Sequence, residues 1–246
     1  MPELPIHPDG GREAPGYALE RRLTRLESLP AERRRRAHQG LRESSVLETL
    51  RLTGAAPVER VEKAEQNRDS PLFDGALEAL ALIEMNASSG KELDLRLIRE
   101  VHRLSSPPSG GEIRSADLAP QFENARILSP RFIESRIQNL LDWLHGESGR
   151  GMFPAERMAL WFPRFLEIAP FERGNFRTAH LFLSFFSCAD GYPPVSLKLE
   201  EAEVVRGEVE RAFLFDTGPL VQRFSTALGR SLEAIEALEN ASGEGG

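Results

Sequence analysis

The sequence has little of what several classes of protein require. Its single cysteine, Cys188, excludes an intrachain disulfide and fits a reducing compartment, so we expect a cytoplasmic protein. No apolar run is long enough to cross a membrane, and no basic and then apolar leader is visible. Basic residues are also fewer than acidic ones: the chain has 31 Lys and Arg against 38 Asp and Glu, which gives a formal net charge of -7. We therefore expect neither a membrane nor a nucleic acid as a partner.

The common catalytic patterns are missing as well. The five histidines show no HExxH or similar metal-ligand spacing, so a metalloenzyme is not indicated. Neither a nucleophile elbow nor a phosphate-binding P-loop occurs. The carboxylates are scattered over charged helical stretches and do not suggest a hydrolase pair.

Helical periodicity dominates what is present. Leucine spacing between residues 17 and 52 predicts two helices, and further helices are predicted over residues 71–86, 93–104, 130–144, 154–167 and after 197. No strands alternate with these helices, so we predict an all-α fold, apart from a loop and a small β-hairpin within residues 110–129. The expected regions are a flexible, Pro- and Gly-rich arm (1–16), an N-terminal helical region (17–90), a core (91–195), and C-terminal helices with a tail (196–246).

The segment IAPFERGNFRTAH, residues 168–180, resembles the signature HPFx(D/E)GNGRxxR of the Fic (Fic/DOC) family. Five residues agree with it in register: Pro170, Phe171, Gly174, Asn175 and Arg177. Four positions differ from it: Ala169 stands at the histidine, Arg173 at the acidic residue, Phe176 at the second glycine and His180 at the final arginine. The resemblance implies a Fic-like helical fold with a β-hairpin flap. It also implies the activity of a protein adenylyltransferase, which transfers AMP from ATP to a protein hydroxyl.

The substitutions remove parts of that chemistry. The family's histidine is the general base for the target hydroxyl, and the methyl group of Ala169 cannot accept a proton. The family's acidic residue holds Mg²⁺, whereas Arg173 places a permanent cation there, so the resemblance gives little support for Mg²⁺. We therefore expect ordinary AMP transfer to be lost, with no catalytic residue at position 169.

The resemblance assigns four residues to nucleotide or phosphate binding: Gly174, Asn175, Arg177 and His180. Phe176 adds a bulky ring where glycine would let the backbone approach the phosphates closely, so the cradle is expected to be narrowed or reshaped. ATP or another nucleotide is thus the ligand class that the resemblance suggests.

Other segments resemble the family in the same order. They are IREVHRL (98–104), GEIR (111–114) and LLDWL (140–144). The family's flap docks the target protein, and six residues would supply it here: Phe122, Glu123, Asn124, Ala125, Arg126 and Ile127.

Upstream, SSVLET (44–49) resembles the N-terminal inhibitory motif (S/T)xxxE(G/N), with Ser44 and Glu48 in register. The family's glutamate binds the last arginine of the signature, so we predict a contact between Glu48 and His180 that latches this helix onto the loop.

Two functions follow. One is a regulatory or binding module that retains the groove and the flap without transferring AMP. The other is a nucleotide-dependent transferase of altered, metal-poor chemistry, in which Arg173, Arg177 and backbone amides stabilise the phosphate. We favour the first, because loss of the base and of the metal ligand removes both proton transfer and charge neutralisation. The sequence specifies neither a target protein nor an oligomeric state.

Overall fold

The computed structural model describes residues 15–27, 31–53, 71–107 and 110–243. The helices in these ranges are α1 (Pro15–Glu27), α2 (Ala31–Leu52), α3 (Pro71–Ser88), α4 (Leu95–Ser105), α5 (Ile133–His145), α6 (Glu147–Arg150), α7 (Pro154–Ile168), α8 (Asn175–Leu181), α9 (Leu183–Ala189), α10 (Ala202–Phe213) and α11 (Gly218–Gly243). Short 3-10 turns cover Pro130–Phe132 and Leu199–Glu201. No strand occurs within the described ranges, so the all-α prediction is confirmed.

Most helix positions follow the sequence prediction. Prolines begin α3 and α7, where the missing amide hydrogen costs nothing. Asp94 caps α4, since its side chain accepts a hydrogen bond from the amide of Leu97 at 2.7 Å. The predicted arm lies outside the described residues over 1–14, and residues 15 and 16 already belong to α1. Of the predicted tail, residues 244–246 also lie outside them.

Helix α7 lies at the centre of the fold and packs against α5, α8, α9, α10 and α11. Its side chains Trp161, Phe162 and Phe165 are fully buried. Trp161 contacts Phe165 with ring centroids 4.9 Å apart, and it meets Phe182 at 5.5 Å. Buried aromatic side chains of this size contribute large apolar areas to a core. The carboxyl end of α7, where the signature segment begins, is therefore firmly positioned.

Helix α2 lies against α3, α8 and α11. It buries Ser45, Val46, Thr49 and Leu50, which share one face of the helix. The segment that resembles the inhibitory motif thus packs beside α8, the helix that follows the signature loop.

The predicted β-hairpin is wrong. Residues 121–124 form bends and a turn, and residues 125–129 continue without strand pairing. The amides of Glu123 and Asn124 donate to the carboxylate of Glu210 at 2.7 and 2.8 Å. Because a side chain of α10 takes these donors, they are not paired with another strand.

None of the helices in the described part of the chain combines the length and the apolar character needed to cross a membrane.

Candidate functional site

The signature loop, residues 169–174, begins with an alanine in an unusual backbone conformation. Ala169 ends α7 in the left-handed region, with φ 43 and ψ 65, and its amide donates to the carbonyl of Phe165 at 2.9 Å. This region is sparsely populated for residues other than glycine, so surrounding contacts must hold the turn in place.

The side chain of Arg114 supplies most of those contacts. Its Nε donates to the carbonyl of Ala169 at 2.7 Å, and its Nη2 reaches the carbonyls of Ile168 and Leu128. Its own amide donates to the carbonyl of Pro170 at 3.0 Å. Arg114 as a whole residue is 6% exposed, and burial lowers its pKa. The GEIR segment had signalled this residue, but its role in holding the loop was not predicted.

Asn175 holds the other end of the loop. Its side-chain Oδ1 accepts the amide of Phe171 at 2.9 Å, and its Nδ2 donates to the carbonyl of the same residue at 2.7 Å. Both side-chain atoms are thus engaged with the loop backbone. Asn175 is 5% exposed and in this structure serves the loop itself, although the sequence had suggested a phosphate ligand.

Gly174 and His102 complete the loop's support. Gly174 has φ 76, and a Cβ at this position would overlap the side chain of Ser106. His102 stacks on Phe171 with ring centroids 3.6 Å apart, and its Nε2 lies 2.9 Å from the carbonyl oxygen of Arg173. Burial lowers the pKa of His102, which favours its neutral form. His102 had been noted within IREVHRL without a role.

His180 lies inside the protein and does not line the cleft beside the loop. It is 1% exposed, its Nε2 accepts the amide of Leu197 at 3.0 Å, and its Nδ1 lies 2.8 Å from the hydroxyl of Thr49. That hydroxyl donates to the carbonyl of Ser45 at 2.7 Å, so the imidazole must donate through Nδ1. Burial lowers the pKa of His180 to about 4, and the ring is neutral at pH 7.

The predicted contact between Glu48 and His180 is therefore wrong. Glu48 forms an ion pair with Arg51 at 2.8 Å and accepts the amide of Leu199 at 3.2 Å. Ser44 is exposed. The helix does contact α8, but through the neighbouring residue Thr49, because a neutral hydroxyl can accompany a buried imidazole without the cost of burying a carboxylate.

Arg177 is the signature cation that remains at the cleft. Its Nη1 donates to the carbonyl of Ser105 at 2.6 Å, and its Nε donates to the hydroxyl of Thr53 at 3.3 Å. No carboxylate pairs with it among the described residues. Burial lowers the pKa of Arg177, which is the expected effect of removing a cation from water without a counter-charge.

A cleft of about 370 Å³ opens beside Arg177. Gly174 of the loop and Asn175 and Phe176 of α8 line it, and Gln121, Phe122, Glu203 and Arg206 are among the other lining residues. Phe176 packs edge-on against Phe162 of α7, with centroids 5.2 Å apart, so its ring is anchored in the core at the cleft wall.

The loop carries Glu172 and Arg173 next to each other, and both side chains are exposed. Arg173 is exposed at the position where the family signature has its acidic residue. Within the ranges that the structure describes, no group of three or more His, Cys, Asp or Glu side chains is placed to hold a metal.

The segment predicted as a flap is docked on α10. Phe122 is buried and meets Phe213 at a centroid distance of 5.5 Å, and Arg206 lies over the Phe122 ring at 5.1 Å. Ala125 is also buried, whereas Glu123, Asn124 and Arg126 are exposed and Ile127 is half-buried. The exposed residues leave a surface at this segment even though it forms no hairpin.

Comparison with known proteins agrees with this arrangement. Residues 92–187 match the sequence model described as Fic/DOC family. The chain is similar to protein adenylyltransferase fic-1 of Caenorhabditis briggsae, with 29% identity over 157 residues, or 62% of this chain and 31% of that protein. The chain thus spans about a third or less of the length of the first curated relatives it matches.

Two solved structures share the fold. A Fic domain containing signaling protein from Bacteroides thetaiotaomicron has a TM-score of 0.76 at 22% identity, covering 92% of this chain and 98% of that one. A structure of IbpAFic2 covalently tethered to Cdc42 has a TM-score of 0.54 at 17% identity, covering 87% of this chain and 70% of that one.

Proposed function

Because the chain belongs to the Fic/DOC family, we propose that it is a Fic module that has lost ordinary AMP transfer and acts as a regulatory or binding protein. Ala169 carries this proposal. It stands where the family signature has the general base, and a methyl group cannot take a proton from a target hydroxyl.

Neither histidine near the loop offers a replacement base. His180 is fully enclosed, and both of its ring nitrogens are hydrogen-bonded within the protein. His102 directs Nε2 to the carbonyl of Arg173, and its Nδ1 is buried. A base must come within hydrogen-bond reach of the proton that it abstracts, so we expect neither buried imidazole to replace the missing histidine.

Charge neutralisation is altered in the same loop. Arg173 provides a cation where the signature has a metal-binding carboxylate, and this positive charge disfavours Mg²⁺ at that position. Arg177 keeps a half-buried positive charge at the cleft without a carboxylate partner among the described residues. An anionic group would compensate that charge, which favours a phosphate-bearing ligand such as a nucleotide.

A protein partner is the second element of the proposal. IbpAFic2, which shares the fold, has been captured tethered to Cdc42. In this chain the exposed side chains of Glu123, Asn124 and Arg126 offer a surface beside the cleft. We assign the target-docking role of the family to this segment, without a β-hairpin.

The direct test is incubation of the purified chain with α-³²P-labelled ATP and Mg²⁺ or Mn²⁺, alone and with cell extract. We expect no label on any protein. The matched variant is Ala169→His/Arg173→Asp/Phe176→Gly, which restores three signature positions at once and shows whether the rest of the fold supports transfer. Label transferred by the wild-type chain would overturn the proposal and would favour an enzyme of altered chemistry.

Ligand binding is measured separately by calorimetric titration with ATP, ADP and AMP, each with and without Mg²⁺. We expect binding without a metal requirement, and loss of that binding in Arg177→Ala. Arg131→Ala is the control, since Arg131 is exposed and lies outside the cleft. Absence of binding by every nucleotide would remove the phosphate ligand and leave a module that binds proteins alone.

A further inference from the structure

A second and larger groove lies between α5, α7 and the turn that follows α10. Its volume is about 590 Å³. Gln121 and Phe122 line the cleft beside the signature loop, whereas Arg126 and Leu128, further along the same segment, line this groove. We call it the α5–α7 groove. The residues that matter for its chemistry are Arg126, Arg136, Trp143, Arg164, Glu167 and Phe215.

The lining of the α5–α7 groove is positively charged. Arg164 pairs with Glu167 at 2.8 Å, which neutralises one of its three arginines. Arg126 and Arg136 are exposed, and neither forms a hydrogen bond or an ion pair with the residues that the structure describes. The groove thus carries a surplus of two cations on a chain whose formal net charge is -7. Such a local reversal of sign favours an anionic partner.

The same groove presents apolar surface. Trp143 is half-buried at its wall, and Phe215 at its rim is 81% exposed. Phe215 has φ 69, a backbone conformation that is unfavourable for a bulky residue, and Arg164 lies over its ring at 4.9 Å. The adjacent Leu214 is 65% exposed. Aromatic and arginine side chains grouped in this way are typical of the centres of protein interfaces.

We propose that the α5–α7 groove docks an acidic segment of a partner protein. Asp or Glu side chains of that segment pair with Arg126 and Arg136, and an aromatic or leucine side chain packs between Trp143 and Phe215. Two free cations suit a short acidic peptide better than a nucleic acid, which requires a longer track of positive charge along its phosphates. This inference is independent of whether the signature loop binds a nucleotide.

The test begins with selection of random dodecapeptides displayed on phage against the purified chain. We expect the enriched peptides to combine at least two acidic residues with an aromatic residue or leucine. Their affinity can be measured by tryptophan fluorescence, because the chain has two tryptophans and the other, Trp161, is fully buried. A shift in emission on binding therefore reports on Trp143.

Charge reversal then locates the binding surface. Arg136→Glu should weaken binding by about 10-fold or more, since it replaces an attraction with a repulsion. Arg131→Glu is the matched control, because Arg131 is also exposed but lies outside the groove, and it should change the affinity by less than roughly 2-fold. Arg177→Ala should bind the peptides as the wild-type chain does. Circular dichroism confirms that each variant is folded.

Three results would overturn the proposal. The selection enriches no peptide, or it enriches peptides without acidic residues. The selected peptides bind Arg136→Glu as tightly as the wild-type chain. A labelled single-stranded oligonucleotide binds in the groove as tightly as the peptides do, with the same loss in Arg136→Glu, which would assign the surface to nucleic acid.

Discussion

Acidification from pH 7.5 to 5.0 should destabilise the fold through one buried histidine. His180 has no charged partner in the part of the chain that the structure describes, and burial lowers its pKa from 6.5 to about 4. In the unfolded chain the imidazole takes up a proton near pH 6.5. Between pH 6.5 and pH 4 the unfolded state therefore binds more protons than the folded state, and the free energy of unfolding decreases as the pH is lowered. One pKa unit is 1.36 kcal/mol, so the whole displacement corresponds to about 3 kcal/mol. About 2 kcal/mol of this is lost by pH 5.0, and the rest as the pH approaches 4.

Urea unfolding of the wild-type chain and of His180→Gln at both pH values measures this effect. Glutamine has a donor and an acceptor but does not titrate, so the variant should lose about 2 kcal/mol less than the wild type on acidification. The pKa of His102 is also lowered by burial, but this residue is present in both proteins and its contribution cancels. Equal losses in the two proteins would refute the claim that His180 is held neutral.

Three further substitutions test the loop and its surroundings. Thr49→Val leaves the Nδ1–H of the buried imidazole without an acceptor and should lower the free energy of unfolding, measured in urea, by about 1–3 kcal/mol. Gly174→Ala should lower the free energy of unfolding by about 3 kcal/mol or more, because its Cβ would combine a backbone at φ 76 with a clash against the side chain of Ser106. Gly90→Ala, at φ 70 with open space around it, should lower it by about 1–2 kcal/mol. Equal losses in the two variants would contradict the clash. Ala169→His alone should not restore AMP transfer, because Arg173 still occupies the metal position; label transferred by this single variant would show that the base was the one missing part.

The sequence was sufficient for the helices, because helical periodicity and terminal prolines are local signals. Pro71 and Pro154 start helices as predicted. The hairpin failed for the opposite reason. The amides of Glu123 and Asn124 donate hydrogen bonds to Glu210, which lies more than eighty residues away along the chain. No local sequence pattern predicts that contact. Pairing decided by distant residues overrides a weak local preference.

The latch between α2 and α8 was predicted in the right place but through the wrong residue. The resemblance placed Glu48 in register with the family's inhibitory glutamate, yet adjacent residues on a helix point about 100° apart, and Thr49 makes the contact. Burial decides between the two. His180 is enclosed and neutral, so a carboxylate facing it would lose its hydration without gaining a full counter-charge. The burial of position 180 can be read from the tertiary structure but not from the sequence motif alone.

The signature divides into residues that build the loop and residues that act in it. Arg114 binds the carbonyl of residue 169, and Asn175 pairs with the backbone of Phe171, so both supports act on the main chain and are indifferent to the side chain at position 169. The base can therefore be replaced by alanine without dismantling the turn. Of the matching signature residues, Arg177 is the one that brings a charge to the cleft, and no carboxylate of the described residues forms an ion pair with it. The signature residues that match the family pattern therefore support the assignment of the fold, and any remaining affinity for phosphate depends on Arg177.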